Sequence, residues 1–170
     1  LYALSSEGEL VCLDTAKGGL KWGKSYKKDF GGAMGMWAFS ESPLVDGDRL
    51  ICTPGGKDAT LVALKKANGE VVWKSPAGGE SAYSSPQSAT LFGKKQYITF
   101  LSNGVVGVDA ADGKVLWRYA ATSDKQANIM TPIIHDNGVF SSARPGAAMI
   151  QFGSAGAEFK QAYFGTTLSV

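Results

Sequence analysis

The sequence predicts an all-β fold: a β-propeller of about four consecutive four-stranded antiparallel blades, the first and last incomplete, forming part of a larger ring of seven or eight blades. Three observations predict it. Tryptophans recur at equivalent places, each four residues past a turn glycine: Gly18 and Trp22, Gly69 and Trp73, Gly113 and Trp117, with the tryptophans 51 and 44 residues apart. A second landmark keeps the same beat, since Ser42-Pro43, Ser85-Pro86 and Thr131-Pro132 are separated by 43 and 46 residues. A period in the forties fits either a propeller blade or a helical-pair solenoid. The third observation decides between them. Segments between turns are short, rich in β-branched and aromatic residues, and bounded by Asn-Gly, Asp-Gly and Gly-Gly pairs, as in Gln96-Tyr97-Ile98-Thr99-Phe100-Leu101; the long 3.6-residue periodicity of helical pairs is missing.

In chain order the units cover approximately residues 1–26, 42–75, 85–120 and 131–164 of one partial propeller domain. The first opens at Leu1-Tyr2-Ala3-Leu4, whose distance from Trp22 makes it a second strand, so the unit lacks its first. The second runs from Pro43 to Ser75, turning at Asp46-Gly47 and over Pro54 to Asp58. In the third, strands are expected over Pro86 to Leu91, Gln96 to Ser102, Gly104 to Asp109 and Lys114 to Tyr119. Proline at a strand's first residue sacrifices no ladder hydrogen bond, and Asn103-Gly104 is expected to form a two-residue turn because both tolerate positive φ. The fourth passes through Gly138 to Ser142 and Ala147 to Phe152 and reaches Phe159 to Phe164 with no docking tryptophan. Both ends therefore read as cut, and the chain as a piece of a longer one. The glycine-rich Gly31 to Met36 stretch reads as a flexible excursion that lengthens the first interval; it lacks the Lys-Ser/Thr ending of a phosphate loop.

Composition narrows the function classes. The 22 glycines in 170 residues are nearly twice the average share of roughly 7%, as many tight turns require. Lysine plus arginine number 17 against 15 acidic residues, a net +2, which gives none of the positive field a phosphate backbone demands; no nucleic-acid partner is expected. No apolar run approaches the roughly 18 residues of a membrane span, and no signal-peptide pattern opens the sequence. Cys12 and Cys52 lie 40 residues apart, a spacing that suggests neither a zinc site nor a redox pair, and leaves two buried thiols or a disulfide between neighbouring blades open.

The tryptophans have a structural task in this reading. Four residues past the turn glycine, Trp22, Trp73 and Trp117 fall in each unit's outer strand, where a large flat ring lies in the seam between blades. Together with the strand-ending Leu13-Asp14 and Val108-Asp109, the turn closed by Gly18, Gly69 or Gly113, and the tryptophan four residues on, they resemble the tryptophan-docking motif of pyrroloquinoline-quinone-like (PQQ-like) β-propeller repeats. The aspartates are Asp14 and Asp109; the middle copy has Lys65 instead. The resemblance covers essentially the whole chain. The stretches from Trp37 to Asp48 and from Leu50 to Gly56 look especially like the non-enzymatic exported bacterial repeat proteins of that family, which implies a periplasmic or other extracytoplasmic setting. Quinoprotein dehydrogenases of the same family hold the quinone and a calcium ion on the propeller axis, and their alcohol-oxidising members add adjacent cysteines; here Cys12 and Cys52 are far apart and no acidic set recurs at an axial position.

Fold does not choose between these activities, so function is sought in the loops. Those entering each inner strand gather at one end of the channel, just before the Ser/Thr-Pro landmarks. They supply the candidate ligand-binding residues Trp37, Phe39, Glu41, Tyr83 and Asn128, with Arg144 beside Pro145-Gly146 as a further candidate. Aromatic, acidic and amide side chains at a channel mouth suit a peptide segment or a small polar ligand. No catalytic residue and no metal ligand is expected: the single histidine, His135, has no clustered partners, and Glu41 beside a serine has no base. The expectation is a non-enzymatic scaffold or binding module that contacts protein, ligand or remaining blades of its own chain, without a cofactor. The alternative is a piece of a quinoprotein dehydrogenase, with PQQ and calcium, whose catalytic residues lie elsewhere. A carbohydrate-active propeller would need two converging acids, and only Glu41 is positioned to contribute.

Overall fold

The computed structural model describes residues 1–33 and 35–167. Four antiparallel sheets follow one another along the chain, each in plain meander order. The first has three strands, β1 (Tyr2–Leu4), β2 (Glu9–Leu13) and β3 (Leu20–Ser25). The second comprises β4 (Leu44–Asp46), β5 (Arg49–Cys52), β6 (Leu61–Lys65) and β7 (Val71–Ser75). In the third are β8 (Gln87–Leu91), β9 (Lys94–Leu101), β10 (Gly104–Asp109) and β11 (Val115–Tyr119). The fourth holds β12 (Ile133–His135), β13 (Gly138–Ala143), β14 (Gly146–Phe152) and β15 (Phe159–Gly165). This is the blade series of a β-propeller. The first blade lacks a strand, as expected, whereas the fourth, expected to be incomplete, has all four.

The core lies between the blades. Successive strand side chains point to opposite faces, so β6 sends Leu61 and Ala63 into a cluster with Tyr97, Leu101, Val106 and Val108 of the third blade. Its Val62 and Leu64 enter a different cluster with Leu10, Tyr26, Phe30 and Phe39 from the first blade's side. A third cluster joins Ile98, Phe100 and Trp117 to Ile150 and Phe152 across the last seam. Because both faces are covered, middle strands read as continuous apolar runs rather than alternating ones.

Each outermost strand pair carries a register shift at the same place, beside Cys12, Ala63, Gly107 and Met149. The residues opposite are Trp22, Trp73, Trp117 and Tyr163. Tyr163 thus takes the tryptophan's register position in the fourth blade, a correspondence hidden in the sequence by the longer β14–β15 hairpin. Trp22 lies against Gly69 of the next blade and its Nε1–H donates to the Lys66 carbonyl at 3.1 Å. Trp73 repeats this one blade on, against Gly113, donating to the Ala110 carbonyl at 3.2 Å. A Cβ at Gly113 would sit 2.6 Å from the Trp73 ring, and its φ of +76° favours glycine independently. Trp117 departs from the pattern: its Nε1–H donates to Gln96 Oε1 within its own blade, and its ring stacks against Phe152 at 5.0 Å and Phe159 at 6.5 Å.

Three local expectations are corrected. Leu101 pairs with Gly104, so the tight loop is Ser102-Asn103, and Gly104 is already strand; a Cβ there would meet the Tyr119 carbonyl oxygen at 2.5 Å. Likewise Asp46 pairs with Arg49, leaving Gly47-Asp48 as that turn. Where strand and turn were expected throughout, Tyr26–Phe30 forms a helix, α1, capped by Ser25, whose Oγ accepts from Lys28 N and whose N–H donates to Asp29 Oδ2 at 2.7 Å, and closed by Gly31 in the left-handed region. Two glycines of the loop that follows, Gly32 and Gly35, are packing sites. A Cβ on Gly32 would approach the Pro54 and Tyr26 carbonyl oxygens at 2.6 and 2.8 Å, and one on Gly35 the Tyr83 hydroxyl at 2.7 Å; Met34 lies outside the described residues. Cys12 and Cys52 are both buried free thiols.

Candidate functional site

Antiparallel order places the blade-to-blade connections and the turns between second and third strands at one end of the sheets, and the remaining turns at the other. Hydrogen bonds stitch the first group into a continuous loop face. Phe39 N–H donates to the Ser6 carbonyl at 3.1 Å, and Tyr83 N–H to the Asn128 carbonyl at 3.2 Å. Glu80 N–H donates to Ser102 Oγ at 2.9 Å, and Ser123 Oγ to the Ser102 carbonyl at 2.7 Å.

The six candidate residues divide by depth. Trp37 is 58% exposed and rests edge-on against half-buried Tyr83, ring centroids 5.5 Å apart, while its own N–H donates to the Tyr83 hydroxyl at 3.1 Å. These two belong to different connections, first-to-second and second-to-third blade, and the structure brings them together. Arg144 is exposed in the β13–β14 turn on the same face. Asn128 is fully buried: its Nδ2 donates to the Leu101 carbonyl at 2.8 Å and Ser123 Oγ at 3.0 Å, and its Oδ1 accepts from Asp124 N at 3.1 Å, so it shapes the last connection from within. Phe39 is buried against Tyr26, ring centroids 5.3 Å apart.

Glu41 lies inside the seam between the first two blades, only 5% exposed. Its Oε1 accepts from the Tyr26 hydroxyl at 2.5 Å and from Thr53 N–H at 2.7 Å. Its Oε2 has no hydrogen-bond partner, nor has the neighbouring Thr53 Oγ1. Burial pushes the carboxyl above the ordinary glutamate range, and the bonds from Tyr26 and Thr53 offset that only partly. Tyr26 and Cys52 are pushed well up by the same burial.

Sequence reasoning missed two surface residues and three buried ones. Met36 and Ile129 are 77% and 64% exposed, flanking Trp37 and Asn128 in their connections; large apolar residues inside connections were the available signal. Tyr26, Cys52 and Thr53 meet Glu41 only through the fold, and nothing in their spacing announces it.

On the opposite face, a cleft of about 470 Å³ between the second and third blades is lined by ion pairs, Lys95 with Asp46 at 2.6 Å and Lys94 with Asp109 at 3.1 Å. Among the described residues no group of three or more His, Cys, Asp or Glu side chains is arranged to hold a metal ion, and no helix is long and apolar enough to cross a membrane.

A family model described as outer membrane protein assembly factor BamB matches residues 1–167. Among solved structures the chain is similar to BamB from Moraxella catarrhalis, with a TM-score of 0.65 and 16% identity over 93% of this chain and 43% of that one. It is similar as well to quinohemoprotein alcohol dehydrogenase from Comamonas testosteroni, with 0.63 and 13% over 96% of this chain and 33% of that one. A third likeness is to quinohemoprotein alcohol dehydrogenase ADHIIG from Pseudomonas putida HK5, with 0.58 and 14% over 95% and 33%. The chain thus spans less than half the length of each of these structures. No curated protein matches it. Identities this low carry the fold alone, but the family match runs through all four blades, and the chain belongs to the outer membrane protein assembly factor BamB family of PQQ-like β-propeller repeats.

Proposed function

We propose that this chain is a non-enzymatic propeller module that binds a protein partner through its loop face, in an extracytoplasmic setting. The observation that carries the reading is the exposed indole of Trp37, held edge-on by Tyr83 of the next connection, with Met36 beside it and Ile129 two connections along. A rigid, half-supported tryptophan on a surface otherwise well mixed in charge is the kind of anchor that dominates protein interfaces. The family's role, outer membrane protein assembly, supports a protein partner and the cell envelope as its place.

Fold likeness does not separate this reading from a dehydrogenase, because the two kinds of neighbour score alike. Residue chemistry supports the module. Cys12 and Cys52 sit on different blades, the Glu41 carboxyl is engaged inside a seam, and the described residues offer no grouped donor set for calcium. The described residues by themselves do not fit a quinone–calcium centre; under the dehydrogenase reading its donors belong to blades other than these.

A photo-crosslinking amino acid at position 37, introduced into the protein in its host, tests the proposal. A discrete protein adduct from position 37, absent when the probe stands at Asp112 on the opposite face, is the expected result. Trp37→Ala should then weaken the purified pair by roughly 30-fold, the effect of losing about 2 kcal/mol. Saturable one-to-one binding of pyrroloquinoline quinone with calcium, and no adduct from position 37, would overturn it in favour of the dehydrogenase.

A further inference from the structure

The connection that presents Trp37 is tied down at both ends by one residue, Tyr26. Upstream, the chain leaves α1 through Gly31 and Gly32, whose N–H donates to the Tyr26 carbonyl at 2.8 Å. Downstream, Phe39 packs its ring against the Tyr26 ring, and Glu41 takes the Tyr26 hydroxyl proton in a hydrogen bond. The downstream tie is chemically odd. Phe30, Phe39, Leu50 and Cys52 belong to the same apolar cluster as Tyr26, and a carboxyl with one oxygen unpartnered sits in that seam.

The titratable groups acting on Glu41 are few. Tyr26 faces it from α1 and Cys52 from β5, and burial holds both in their neutral forms through the physiological range. Among the described residues no cation pairs with Glu41; Lys74, in β7, places its Nζ over the Phe30 ring of the same cluster, 5.4 Å from the centroid. An ionised carboxylate buried without a cation is costly, whereas a neutral carboxyl in the same place costs only its unmade hydrogen bond.

We propose that Glu41 is a proton-operated latch on the Trp37 connection: neutral, its carboxyl stays in the seam and holds residues 35–43 against α1 and β5; ionised, it leaves the seam and frees them. The latch rests on the loop-face reading for its biological use, because it regulates presentation of the proposed anchor, but its geometry stands without a partner. Its direction follows from linkage. The folded carboxyl binds its proton more tightly than the unfolded one, so the stability it contributes is complete below the ordinary glutamate range and is lost as pH rises through the raised value. Acidification closes the loop; alkalinisation opens it.

Amide hydrogen exchange on the purified chain tests this, with protection factors corrected for the intrinsic pH dependence and compared at about pH 5 and about pH 8. The reporters are Thr53 N–H, which donates to Glu41, and Phe39 N–H, which donates to Ser6. Wild type should lose protection at both as pH rises, while Glu41→Gln, which cannot ionise, should show the same protection at both pH values. Unchanged protection in wild type, or an equal loss in Glu41→Gln, overturns the latch. Should Glu41→Gln not fold, infrared spectroscopy of glutamate-labelled wild type decides: a protonated-carboxyl band persisting above the ordinary glutamate range supports the latch, and its absence sinks it. Loss of the adduct at position 37 with the exchange pattern intact would remove the partner and leave the latch.

Discussion

At the scale of single residues, the seams are built from a ring and the absence of a side chain beneath it. Gly18 and Gly113 both hold left-handed backbone in equivalent turns, but nothing lies within 4 Å of a Cβ at Gly18, whereas one at Gly113 runs into the Trp73 indole. Gly18→Ala is therefore expected to cost about 1–2 kcal/mol, the strain of a left-handed alanine. Gly113→Ala should cost clearly more, because ring and turn must separate as well. Chemical denaturation midpoints of the two variants check the ordering, and equal losses would mean that the tryptophan gives way without cost. The recurrence of a glycine four residues before each tryptophan was legible in the sequence because it is local, whereas the seating of the Trp22 and Trp73 rings on the next blade's glycine was not. Glu41 was legible as a loop residue near the channel, but its fate in the seam was not, since Tyr26 in α1 and Thr53 just past β5 reach it from 15 and 12 residues away.

Elements show the same split. Strands of the third blade were legible to within about two residues, because Pro86, Gly104 and Gly113 punctuate the runs between turns. The helix α1 was not, since five residues are too few for a periodicity and only the Ser25 cap and Gly31 stop betray it. Nor was the role of Tyr163, because the lengthened β14–β15 hairpin displaces it from the tryptophan spacing while the register shift keeps it in place. The seams also differ in depth. Trp73 is buried and Trp22 only half-buried. Trp73→Ala should cost about 3–5 kcal/mol, the usual loss for emptying a packed aromatic site, and Trp22→Ala measurably less. Thermal unfolding of both variants reads the difference, and a Trp22 loss as large as that of Trp73 would show the first seam to be as tightly closed as the second.

For the molecule as a whole, stability is distributed over three seams rather than concentrated in one core. Each of the three apolar clusters joins two consecutive blades, so the chain behaves as a short one-dimensional array whose cooperativity depends on its weakest joint. Emptying the middle joint is the sharpest way to expose that. In Trp73→Ala, hydrogen exchange should resolve two opening units, one holding β1–β7 and one holding β8–β15, where wild type opens more nearly as one. A single unit in the variant would mean that the loop-face hydrogen bonds between connections, not the ring contacts, carry the coupling.

The third seam is keyed differently from the other two. Where Trp22 and Trp73 each fit over a bare glycine, Trp117 meets Phe152 and Phe159, with Phe92 and Tyr119 completing the aromatic group. Blades of similar sequence invite mis-ordered assembly, since any ring could settle on any bare turn while the chain is still collapsing. A seam built on Phe152 and Phe159 in place of a bare glycine offers the fourth blade a surface unlike that of the other two, and so disfavours a wrong pairing there. The irregular joint thus marks one seam among the repeats as different from the rest.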